Sequence, residues 1–78
     1  MGEKPIYHEI QRCLTILRQL QRAPATKAEL MEYVRVEVTP EAYADDPKLA
    51  DKTFARDIDR LRTWGVEIVV GKGHAYHL

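Results

Sequence analysis

The chain of 78 residues contains no serine and no asparagine. The first absence removes a serine nucleophile, and the second removes any N-glycosylation sequon. Cysteine occurs once, as Cys13, so no internal disulfide forms and the reducing cytosol is the expected compartment. No apolar run approaches the ~18 residues that span a bilayer, and residues 1–7 lack the apolar core of a signal peptide. Membrane association is therefore not expected. Net charge is missing too: twelve Lys and Arg stand against twelve Asp and Glu. Taken alone, that zero speaks against a nucleic-acid partner.

What is present describes one small globular domain covering residues 1–78. Hydrophobic residues make up 45% and charged residues 31%, a folded rather than a disordered balance. A domain of this size buries only about 60% of its unfolded surface, which leaves little room for a deep catalytic cleft. The zero charge is unevenly assembled. Residues 23–51 carry Glu29, Glu32, Glu37, Glu41, Asp45, Asp46 and Asp51 against Lys27, Arg35 and Lys48, a balance of −4. Each flank, residues 1–22 and residues 52–78, carries +2. An acidic middle masks two basic ends.

The spacing predicts three helices. Pro5 suits a first helical turn, and Ile6, Ile10, Leu14, Leu17 and Leu20 recur at helical period with Cys13 and Ile16 beside them. Arg12, Arg18, Gln19 and Arg22 fall mostly off that stripe. Pro24 ends the helix by disfavouring helical geometry at Ala23. Thr26-Lys27-Ala28-Glu29 has the form of a capping box and starts a second helix. Val34, Val36 and Val38 then alternate with Arg35 and Glu37, so two helical turns followed by an extended piece are expected. A loop follows to Asp46, with a helical turn after Pro40 as one option. Asp46-Pro47 signals a third helix, beginning between Pro47 and Asp51 and stopped by Gly65 after Trp64. Val66 to Val70 reads as a β-strand, Gly71-Lys72-Gly73 as a three-residue turn, and His74 to Leu78 as the return strand.

Three helices and a hairpin are the layout of a winged helix-turn-helix, an α+β fold. Residues support that layout. Thr53-Phe54-Ala55-Arg56-Asp57-Ile58-Asp59-Arg60-Leu61, followed by Trp64-Gly65-Val66-Glu67-Ile68, resembles the recognition-helix signature of DeoR-like and WYL-domain bacterial transcription regulators. The stretch from Gly71 to Leu78 looks like that family's wing and tyrosine strand. The stretch from Ile16 to Arg22 and the Thr26-Lys27-Ala28-Glu29-Leu30 start also match, so the resemblance covers nearly the whole chain. It departs at one place: roughly a dozen extra residues, around residues 38–50, which bring much of the acidic charge (Glu41, Asp45 and Asp46), are inserted between the second and third helices, where the family has a tight turn.

The resemblance implies sequence-specific binding of double-stranded DNA, with the third helix in the major groove and the wing on the backbone. It implies a homodimer for the intact protein and a cytoplasmic location, nucleoid-associated when DNA is bound. An effector-sensing region follows this domain in the family, so the chain is expected to be the N-terminal piece of a longer regulator. Candidate DNA-binding residues are Lys52, Thr53 and Arg56 for bases or phosphates, and Arg60, Lys72 and His74 for the backbone. Their plain alternative is a solvated charged face, or ordinary turn residues for Lys72 and His74. Asp57 is expected to orient a neighbouring basic group, and Trp64 to cover an open end of the core.

No catalytic constellation stands out, so neither enzyme activity nor a cofactor is expected. No metal is expected either. His74 and His77, three apart on a strand, point to opposite faces, and His8 and Cys13 lie about 140° apart on a helix. A winged-helix protein-interaction module, with the acidic insertion as its contact surface, is the competing class of function.

Overall fold

The computed structural model describes residues 5–78, with side chains from His8 onward. The chain is α+β: three helices and a small antiparallel sheet of three strands. Helix α1 spans Pro5–Arg22, strand β1 Ala25–Thr26 and helix α2 Lys27–Glu37. A 3₁₀ turn at Pro40–Ala42 precedes helix α3, Pro47–Thr63. Strands β2, Val69–Val70, and β3, Ala75–His77, flank a tight turn. Among the described residues no helix is long and apolar enough to cross a membrane.

The ends of the helices follow local chemistry. Thr26 caps α2 by accepting from the Glu29 N–H, and the Glu29 carboxylate accepts from the Thr26 N–H. Such caps contribute about 1 kcal/mol each. Asp46 caps α3, accepting from the Lys48 N–H at 2.9 Å, with Pro47 at the first helical position. After Trp64 the chain leaves the helix through Gly65 at φ 99°, a conformation that favours glycine.

The helix α2 differs from the expected two turns. It continues through Val34, Arg35 and Val36 to Glu37, so the alternating valines are helical rather than extended. Their strand propensity is overridden because Leu30, Met31 and Val34 bury one helical face against the core, while Val36 stays 70% exposed. The insertion is correspondingly shorter. Residues 47–50 already belong to α3, and the connection is residues 38–46.

The sheet also carries more than a hairpin. Strand β1 pairs with β3 (Ala25 opposite Tyr76, Thr26 opposite Ala75), and β2 pairs with the other side of β3 (Val70 opposite Tyr76). The turn falls one residue later than expected. Gly73 and His74 both take positive φ, 70° and 61°, and the Ala75 N–H donates to the Lys72 carbonyl. Two left-handed central residues are the type I′ solution for joining twisted strands. His74 is thus a turn residue and not part of the return strand.

The core gathers Cys13, Ile16 and Leu20 from α1, Leu30 and Val34 from α2, and Phe54, Ile58 and Leu61 from α3. Tyr43 from the connection and Ile68 before β2 complete it. Phe54 meets Tyr76 edge-on, with ring centres 5.5 Å apart, which fixes α3 against the sheet. The buried face of α1 is rotated from the expected stripe. Ile10 and Leu14 are 43% and 48% exposed, whereas Arg12 and Thr15 are buried. The side chains of Ile6 and Tyr7 lie outside the described residues. Trp64 is half exposed and does not close the core.

Candidate nucleic-acid interface

The rotation of α1 has an electrostatic cause. Asp57, on the inner face of α3, is fully buried and accepts from Arg12 twice: from Nε at 2.8 Å and from Nη2 at 3.1 Å. The Tyr43 hydroxyl donates to the same carboxylate at 2.7 Å. Burial disfavours the Arg12 charge, but the hydrogen bond and the charge of Asp57 outweigh it and hold the guanidinium above its ordinary pKa. The fork-on-carboxylate geometry gives α3 a fixed rotation against α1. Asp57 therefore orients a basic group, as its place in the helix suggested. The partner is 45 positions away on α1, beyond the reach of spacing arguments.

With Asp57 inward, the opposite side of α3 faces solvent. Lys48, Lys52 and Arg56 are exposed there, and none of them forms an ion pair among the described residues. Several acidic groups nearby are engaged internally. Asp46 caps the helix, Asp51 pairs with Lys27 at 3.0 Å, and Glu9 pairs with Arg60 at 3.1 Å. Glu41, in the connection, is bonded by the Thr39 hydroxyl, which lowers its carboxyl pKa. Asp59 is the acidic residue left on the outer face.

The candidate residues separate into three groups. Lys52 and Arg56 stand together on the open face of α3. Thr53 is half-buried beside them, and its hydroxyl donates to the Leu49 carbonyl at 3.1 Å. Arg60 is turned inward. Its Nη2 holds Glu9, and its Nη1 is buried 3.9 Å from Asp57 without a hydrogen-bond partner. Lys72 and His74 are exposed in the turn between β2 and β3.

Two exposed residues escaped the sequence reading: Lys48 and Leu49 in the first turn of α3. Their signal was present, since a helix starting at Pro47 projects Leu49 and Arg56 only about 20° apart. Among the described residues no group of three or more His, Cys, Asp or Glu could hold a metal ion. No family model, no curated protein and no solved structure matches this chain.

Proposed function

We propose that the chain is a winged helix-turn-helix domain that binds double-stranded DNA for a bacterial transcription regulator. In this reading α2, the connection and α3 form the helix-turn-helix, and the β2–β3 hairpin is the wing. Helix α3 enters the major groove with Lys52, Thr53 and Arg56, while Lys72 and His74 approach the backbone. The intact regulator acts as a homodimer on paired half-sites. The observation that carries this proposal is the charge arrangement around α3. Free cations occupy its outer face, while Asp46, Asp51 and Asp57 are engaged within the domain. The zero net charge is then no obstacle, because phosphates meet the local field and not the total.

The acidic connection gives the rival protein-docking reading less to work with. Tyr43 and Ala42 of that segment are core residues, and the carboxylates of Asp46 and Glu41 hold their own backbone and neighbours.

Fluorescence anisotropy with labelled duplex DNA tests the proposal. With three or four phosphate contacts, affinity is expected to fall about 40- to 150-fold between 50 and 200 mM salt, because counterions are released on binding. Arg56→Ala is expected to lose about tenfold at fixed salt. Absence of binding at low salt, together with no effect of Arg56→Ala, overturns the reading.

A further inference from the structure

We propose that Leu49, with the methyl group of Thr53, reads the 5-methyl group of thymine in the major groove. The inference rests on the DNA-binding reading above and assigns the base that its open helix face would select. Because Asp46 and Pro47 start α3 where they do, Leu49 lies in the first helical turn. That end of a groove-bound helix is the one whose side chains meet base edges. The buried stripe of α3 is Ala50, Phe54, Asp57, Ile58 and Leu61, and Leu49 is not part of it. It is 52% exposed, on the side that carries Lys52 and Arg56.

Thr53 sits one turn further along the same side. Its hydroxyl proton is committed to the Leu49 carbonyl, so Thr53 has no donor to offer a base. What it adds is a methyl group, on a position about 40° from that of Leu49 in helical projection. Two apolar groups flanked by two free cations make a surface that fits one base in particular. Thymine alone places a methyl group in the major groove, and guanine beside it would offer its two acceptors to Arg56 or Lys52. An exposed leucine there gains by covering that methyl and gains nothing from cytosine, whose C5 carries only hydrogen.

The test uses the full chain and a duplex recovered by repeated selection on it from a random-sequence pool. Each thymine is replaced in turn by deoxyuridine, which removes the methyl group and keeps the pairing. Wild-type affinity is expected to fall about fourfold at one or two positions, the effect of one methyl-sized group left in water. The Leu49→Ala variant should bind the parent duplex about fourfold more weakly and lose that sensitivity to deoxyuridine. Its thermal melt should match wild type, since Leu49 is outside the core. Thr53→Val, which keeps a methyl and discards the hydroxyl, should retain the sensitivity. Equal wild-type affinity for every deoxyuridine duplex overturns the inference, as does a Leu49→Ala variant that stays methyl-sensitive. A pool that yields no bound duplex overturns the DNA-binding reading itself, and this inference with it.

Discussion

Replacing Asp57 by alanine is expected to destabilise the domain by about 3–5 kcal/mol, because it leaves the buried Arg12 guanidinium without its counter-charge. Small domains are stable by only about 5–15 kcal/mol, so this one substitution removes a large share of the total. Among the described residues, the one hydrogen bond left to the Arg12 side chain would be that to the Ala42 carbonyl, at 3.4 Å. The loss should appear as a lowered urea midpoint with an unchanged slope. Removing all the polar partners together should behave differently. With Arg12→Met, Tyr43→Phe and Asp57→Leu combined, none of the three leaves another of them unpaired, and only the Ala42 carbonyl and Arg60 Nη1 lose a polar neighbour, so part of the stability should return. A loss below about 1 kcal/mol for Asp57→Ala would show that the cluster does not anchor α3.

A second large effect is expected in alkali. Burial, aided by the charge of Asp57, pushes the Cys13 thiol from its ordinary 9.0 up to about 11. Burial likewise raises the Tyr43 phenol above its ordinary 10.0, with Asp57 adding to the shift. Between pH 9 and 11 the unfolded chain releases the thiol proton while the folded chain keeps it. The unfolded state then binds fewer protons, so stability falls as pH rises. The thiol alone accounts for about 2–3 kcal/mol by pH 11, and the phenol adds to the decline above pH 10. Urea midpoints measured from pH 8 to 11 should begin to drop near pH 9. In Cys13→Ala the onset should move toward pH 10, where Tyr43 takes over. A midpoint that holds level to pH 10.5 would remove both groups as the cause.

The boundaries of the helices were legible because they depend on neighbours in the chain. Thr26 with Glu29, Asp46 with Pro47, and Gly65 after Trp64 each carry their instruction within four residues. Features that depend on distant partners were not legible. Strand β1 has two residues and exists because β3, some fifty positions later, offers its free edge. Arg12 reads as a surface residue until Asp57 is placed beside it, and its inward turn carries Ile10 and Leu14 toward solvent. Tyr43 lies in what reads as an acidic loop, yet its ring packs near Phe54 and its hydroxyl completes the Asp57 cluster. In the candidate interface, Lys52 and Arg56 could be placed from helical projection alone. The inward hold on Arg60 by Glu9 could not, because it depends on how α1 and α3 cross.

Thr26 belongs to two elements at once. Its backbone is the last residue of β1, opposite Ala75, and its side chain caps α2. Ala75 in turn follows directly on the turn that carries Lys72 and His74. One residue thus bolts the hairpin to the start of a helix, and no flexible linker separates them. In the proposed DNA complex, such a domain would act as a caliper whose jaws are set before it closes. Phe54 also holds α3 against Tyr76 of β3, so a duplex bound as proposed would meet a preset gap between the turn and α3 and would be expected to bend or narrow its groove to suit it. Base pairs that no side chain touches would then be selected for their pliancy, and gel mobility of permuted binding sites would register the bend.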